Sequence, residues 1–259
     1  MPLLIAAALL LPAAVPAAAS TDSAVASAES AALTYANYER TSRGLRPLRL
    51  DTRLQEIAHA RAVTMASEDE LSHAQADGTN VFDLLSAAGI TRYRAGEIIA
   101  YNSTSSYTSS AYGAIKQWIK SSGHRAILLS SDYNYVAFGM AVSPDSGRRY
   151  WAGVFIKGPD RTPAWVKQSS PVKQYYTSTR TRVTFRWSGA DTALQVLTSG
   201  LRYYEIARRT DDGEFVSYPV TKGTSISTTW GRGHTYQFRV RAVDWAGNWS
   251  GWRTVTVTL

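Results

Sequence analysis

Asn37-Tyr38-Glu39-Arg40-Thr41-Ser42-Arg43-Gly44-Leu45-Arg46-Pro47-Leu48-Arg49-Leu50-Asp51-Thr52-Arg53-Leu54 is the stretch from which the fold of this 259-residue chain is read. Leu33, Asn37 and Arg40 recur at helical spacing, and Gly44 stands where a left-handed C-cap ends a helix, so residues 28–43 are expected to be helical. Asp51 then offers an N-cap to a second helix. In it Leu54, Ile57, Ala58, Ala62 and Met65 recur at steps of three and four and form an apolar stripe. His59 lies beside that stripe and is read as structural.

Downstream, Asn80 caps a short helix carrying Val81, Leu84, Leu85 and Ala88 and ended by Gly89, while Ile115, Trp118 and Ile119 belong to another. The period then changes to two. Val136, Phe138, Met140 and Val142 alternate, Pro144-Asp145-Ser146-Gly147 is turn chemistry, and Tyr150 to Ile156 resumes an extended apolar run, which together predict a β-hairpin. Helices with a small antiparallel sheet make an α+β layered domain ending near Pro163.

Particular residues say more than periodicity does. Asn37, Arg40, Gly44-Leu45, Pro47-Leu48, Asp51 and Leu54, then Arg61 and Met65, Ser72-His73, Gly96-Glu97, Trp118-x-x-Ser121-x-Gly123-His124-Arg125-x-x-Leu128 and Tyr150-Trp151-Ala152 follow one another in order. The set resembles bacterial SCP/CAP domains, of the superfamily of cysteine-rich secretory proteins, antigen 5 and pathogenesis-related proteins, over roughly residues 30–156. The resemblance implies an α-β-α sandwich whose cleft is lined by histidines and glutamates and sometimes holds a divalent metal. By motif, His73, Glu97 and His124 match three of those positions, and Ser121 stands where many eukaryotic members place a second glutamate. Ile98 replaces the asparagine of the usual Gly-Glu-Asn.

The spacing of His73, Glu97 and His124, 24 and 27 positions, marks no metal site by itself. Brought together by the implied fold, two imidazoles and a carboxylate suit zinc or another divalent cation with an open position. The other reading is that the histidines hydrogen-bond Glu97 and tie helices to sheet. For hydrolysis, Glu97 would be the base and Ser121 or Ser122 the nucleophile beside His124, yet no acid stands behind that serine–histidine pair. Binding of a ligand or metal in the cleft is therefore placed ahead of catalysis, a lipid or other small molecule being the ligand class the resemblance implies, with a metal-assisted, protease-like hydrolase as the alternative.

Beyond Pro163 and Ser169-Ser170-Pro171 the helical period disappears. Val183 to Trp187 alternates, Leu201 to Arg208 is extended, Asp211-Asp212-Gly213 is a hairpin turn and Tyr236 to Val243 alternates strictly, predicting a β-sandwich. Tyr236 to Val243 with Asp244-x-Ala246-Gly247-Asn248-x-Ser250, and Trp187 upstream, resembles the fibronectin type III signature, with Tyr236 at the tyrosine corner. Trp245, Trp249 and Trp252 crowd one turn and either stack on sugars or plug the end of the sandwich. His234 is read as structural.

Charge divides unevenly. Residues 20–165 hold 15 Lys and Arg against 14 Asp and Glu, whereas residues 166–259 hold 13 against 6. The basic character thus belongs to the second half and favours an anionic cell-wall polymer or glycan. The chain has no cysteine, which excludes disulfides, thiolate metal sites and cysteine nucleophiles. Uncharged residues 1–19, apolar from Leu3 to Leu11 and ending Ala17-Ala18-Ala19, read as a signal peptide and predict a secreted or envelope-associated protein with no transmembrane segment in the mature chain. The expected organisation is a flexible segment at 20–29, the CAP domain at 30–160, a linker at 161–172 and the β-sandwich at 173–259.

Overall fold

The computed structural model describes residues 23–259; the signal-peptide expectation, on residues 1–19, lies outside them. In chain order the elements are α1 (Ser23–Thr41), β1 (Arg49–Leu50), α2 (Thr52–Glu68), α3 (Val81–Ala87), β2 (Arg94–Asn102), α4 (Tyr107–Lys120), α5 (Ser122–Leu128), β3 (Tyr135–Val142) and β4 (Arg149–Lys157). Strands β5 (Trp165–Gln168), β6 (Val172–Tyr175), β7 (Arg180–Ala190), β8 (Leu201–Thr210), β9 (Val216–Ser217), β10 (Ser225–Gly231), β11 (Thr235–Asp244) and β12 (Arg253–Thr258) follow.

The first half is the expected α-β-α sandwich. Its sheet runs β1-β3-β4-β2, with β3 and β4 forming the predicted hairpin. Because β3 is buried on both faces, its alternation feeds two cores. Val136, Phe138 and Met140 meet Ala28, Ala32 and Ala36 of α1 and Ala111, Ile115 and Trp118 of α4. Tyr135 and Ala137, on the other face, meet Leu54, Ile57 and Ala58 of α2 and Val81 and Leu85 of α3. Asp51 caps α2 by accepting from the Arg53 amide, and Asn80 with Asp83 forms a capping box on α3. Gly139 sets the approach of α2 to the sheet, since a Cβ there would lie 2.1 Å from the Ala58 carbonyl.

Two boundaries differ from expectation. The described part of the segment expected to be flexible, residues 23–29, is instead helical and carries Ala28 and Glu29 into the core. Its small apolar residues are alanines, whose burial is set by close helix packing and which make a weak periodic signal. The segment 161–172 is not only a linker. It contains β5, which pairs with the end of β7, and Ala164 and Val166 are buried in the second core. Strand β2, whose Glu97-Ile98-Ile99-Ala100 run was read only as a motif, is the fourth strand of the first sheet.

The second half consists of two four-stranded sheets, β10-β7-β5 with β6 also on β7, and β12-β11-β8-β9. Val183, Phe185 and Trp187 of β7 pack against Tyr204 and Ile206 of β8 and Phe238, Val240 and Ala242 of β11. The Phe185 and Phe238 rings stack at 4.2 Å. Tyr236 Oη donates to the Gly231 carbonyl at 3.1 Å, five residues upstream, as a tyrosine corner does. The chain between β7 and β8 returns to the first half: Leu194 is buried in the cluster of Leu54 and Ile57, and the Arg46 amide donates to Gln195 Oε1 at 2.8 Å.

Candidate functional site: a histidine–glutamate cleft

Glu97 sits on β2, opposite Val154 of β4, so the sheet presents its side chain toward α2 and the loop that follows it. Its carboxylate is nearly sealed from solvent, and both oxygens are engaged. Oε1 accepts from Arg61 Nε at 2.8 Å, and Oε2 meets His73 Nδ1 at 2.7 Å. Arg61, wholly buried on α2, also donates through Nη2 to the Ser72 carbonyl at 2.6 Å, while its Nη1 is buried without a partner. One arginine therefore fixes both the carboxylate and the backbone beside His73. Burying such a pair is costly and becomes favourable when hydrogen bonds fill the remaining valences, as they do at Glu97.

His73 lies in the irregular chain between α2 and α3 with its side chain 58% exposed. With Nδ1 turned to Glu97, Nε2 is the ring atom free for a ligand, a proton or a metal. His124 enters from α5. Its pKa is held below the ordinary imidazole value, first by burial and then by the nearby charge of His73, which favours the neutral ring. Ser121 joins α4 to α5 and its side chain makes no capping bond; among the described residues no hydrogen bond joins Ser121 or Ser122 to His124.

A cavity of about 420 Å³ opens beside the pair, lined by His73, Glu97, Arg94, Phe82, Ile127 and Tyr133 among others. Its wall is chiefly apolar. Gly96 permits the close approach of Tyr133, because a Cβ there would lie 2.8 Å from Tyr133 Oη. Arg94 sits over the Tyr133 ring at 5.7 Å and pairs with Asp132. Ile98, where the family's asparagine is expected, is instead a fully buried core residue.

The structure thus joins His73 directly to Glu97 at the cavity, whereas His124 and Ser121 are not among the residues that line it. Motif reading did not anticipate that Arg61 occupies Glu97, nor that Arg94, Phe82, Ile127 and Tyr133 line the cavity. The order Arg61…Ser72-His73 was a signal of the first. Trp245 and Trp249 are exposed on the second half, whereas Trp252 is half-buried, with Arg239 4.3 Å and Arg241 4.6 Å from its ring.

Residues 33–155 match the family described as CAP, the cysteine-rich secretory protein family. The chain is 28% identical over 124 residues to the uncharacterized protein YkwD of Bacillus subtilis, covering 48% of this chain and 46% of YkwD. It is 31% identical over 125 residues to the uncharacterized membrane protein YlbC of the same organism, covering 48% of this chain and 33% of YlbC. The chain thus spans less than half the length of either curated relative. Among solved structures, an extracellular SCP-domain protein from Bacillus anthracis superposes with a TM-score of 0.44 at 22% identity, over 51% of this chain and 41% of that one. With its ordered motifs and α-β-α sandwich, the first half of this chain is a CAP domain of bacterial type, a member of the cysteine-rich secretory protein family.

Proposed function

We propose that the CAP domain is a binding module whose cleft takes a small ligand with an apolar body and a polar end that meets His73 Nε2. The observation that carries this reading is the double engagement of Glu97. A carboxylate held on one oxygen by a buried arginine and on the other by an imidazole is a poor general base. It is well placed to orient His73. The apolar lining of the cavity then supplies contact area. Export, by the apolar segment 1–19, would put this module outside the cell, and no helix among the described residues is long and apolar enough to cross a membrane.

A divalent ion such as zinc would take His73 Nε2 and His124, with Glu97 behind His73 rather than in direct contact, although among the described residues His73, Glu97 and His124 do not bring three ligand atoms within 4.8 Å of one another. The neutral ring favoured at His124 and the Nδ1–carboxylate bond at His73 are both what imidazole ligands require. The second half, whose strand order β10-β7-β5 and β12-β11-β8-β9 supports a fibronectin type III-like reading, would attach the protein to an anionic wall polymer or glycan through its arginines and exposed Trp245 and Trp249.

Titration of the full chain with a fluorescent fatty acid tests the cavity. Wild type should bind saturably, and Ile127→Trp, which fills the cavity, should weaken binding at least tenfold without loss of fold. Equal affinity in both proteins would remove the cleft as the ligand site. Zinc titration of wild type and His73→Ala/His124→Ala, read by elemental analysis, tests the metal: one equivalent in the first and none in the second is the expected result.

A further inference from the structure

Three aspartates from distant parts of the chain meet where the two halves join. Asp160 follows β4, Asp191 follows β7 and Asp244 ends β11, and each contributes a carboxylate oxygen within 4.8 Å of the others. Asp160 is 7% exposed and Asp244 is fully buried. Asp191 is partly buried, and mutual repulsion at this separation calls for a compensating positive charge.

Two observations point to what supplies it. Asp191 Oδ1 is shielded from solvent and has no hydrogen-bond partner, while Oδ2 accepts from the Gly200 amide at 2.5 Å and from Ser199 Oγ at 3.2 Å. Moreover, among the described residues no Lys, Arg or His nitrogen lies within 4.0 Å of any of the three carboxylates, although eleven such pairs occur elsewhere. The chain carries an excess of arginine in this half and places none here.

The other contacts of the trio are backbone and amide donors that hold the loops in place. Asp160 accepts from the Thr162 amide at 2.9 Å and the Ser199 amide at 2.7 Å. Asp244 accepts from the Asn248 amide and from Asn248 Nδ2, both at 2.8 Å. Asn248 Nδ2 also donates to the Asp160 carbonyl at 3.2 Å, which couples the turn after β11 to the first half. These bonds leave each carboxylate with unused lone pairs.

We propose that Asp160, Asp191 and Asp244 bind a divalent cation, calcium by the chemistry of its ligands, that fastens the β-sandwich to the CAP domain. An all-carboxylate oxygen set, from two loops and the end of β11, suits a hard cation of flexible coordination and gives no soft or imidazole donor to zinc. Asp160 belongs to the first half and the other two to the second, so the ion closes the junction that Leu194 and Gln195 begin.

The full chain, stripped with chelator, is titrated with calcium by calorimetry and with terbium by luminescence excited through Trp245, which adjoins Asp244. One saturable site is expected, with a dissociation constant on the order of 10⁻⁴ M as in extracellular modules, calcium displacing terbium, and a melting temperature several degrees higher with calcium than with chelator. Asp191→Asn should weaken binding at least tenfold, while Asp77→Asn, remote from the junction, should not. If Asp191→Asn fails to fold, Asp160→Asn takes its place and the wild-type titration still decides. No saturable uptake at millimolar calcium, or equal uptake in Asp191→Asn, overturns the proposal. So does an Asp191→Asn protein that melts higher than wild type in chelator while wild type ignores calcium, which would mean that a proton holds the trio.

Discussion

The CAP domain contains the same contact twice, with different surroundings. His73 Nδ1 meets Glu97 at 2.7 Å in the cleft, and His59 Nδ1 meets Glu29 at 2.9 Å where α1, α2 and β3 converge. Glu97 shares its charge with a buried arginine. Glu29 takes its other bonds from neutral donors, Gln55 Nε2 at 2.8 Å and the Met140 amide at 3.0 Å. The whole charge of Glu29 is therefore available to His59, whose pKa is raised, first by that hydrogen bond. One pair is a structural peg that sits on helix and sheet. The other is held by Arg61 so that an exposed imidazole faces a cavity. What distinguishes a peg from a binding group is the partner behind the carboxylate and the space in front of the ring, rather than the pair itself.

The contrast breaks most visibly at Arg61. Arg61→Met leaves Glu97 buried beside a single partner and should cost about 3–5 kcal/mol, read as a lowered urea midpoint; a loss below about 1 kcal/mol would mean that Arg61 does not anchor the site. Glu29→Ala removes the acceptor of three donors and should cost about 1–3 kcal/mol. It should also return the His59 titration, followed by NMR, toward the ordinary imidazole value. If the His59 titration stays where it was, Glu29 is not the cause.

The smaller effects sharpen the comparison. Because the folded pKa of His59 is raised, its stabilisation is fully present below the unfolded value of 6.5 and is lost as pH rises through the folded value. The stability gap between wild type and His59→Gln, of order 1 kcal/mol, should thus be widest below pH 6.5 and close as pH rises through the folded value. A gap that widens with pH would reverse the assignment. His73→Gln should change stability least, because the ring is 58% exposed, yet it should abolish whatever the cleft binds. A variant with full binding would leave His73 without a role.

Much of the fold was legible because it rests on local rules. Asp51 and Asn80 do cap α2 and α3, Gly44 does take positive φ after α1, and the alternation from Val136 does become β3. The alanine face of α1 and the strand β2 were harder to read. Alanine carries little hydrophobic contrast, and the buried run Ile98-Ile99-Ala100 of β2 does not alternate, whereas β3, also buried on both faces, sets large residues against small ones. At the cleft, the motifs marked His73, Glu97 and His124, and of these the structure pairs His73 with Glu97, a contact that no local spacing announces.

From the sequence alone came the CAP motifs in order, the change of period from helical to alternating near Pro163, and the basic excess of the second half, since each depends on neighbours along the chain or on composition. Tertiary structure decided which charges meet. Arg61 reaches Glu97 across 36 positions, and Asp160, Asp191 and Asp244 converge from two loops and the end of β11. Side chains choose partners by distance through the packed interior, and that distance is set only when sheets and helices have docked.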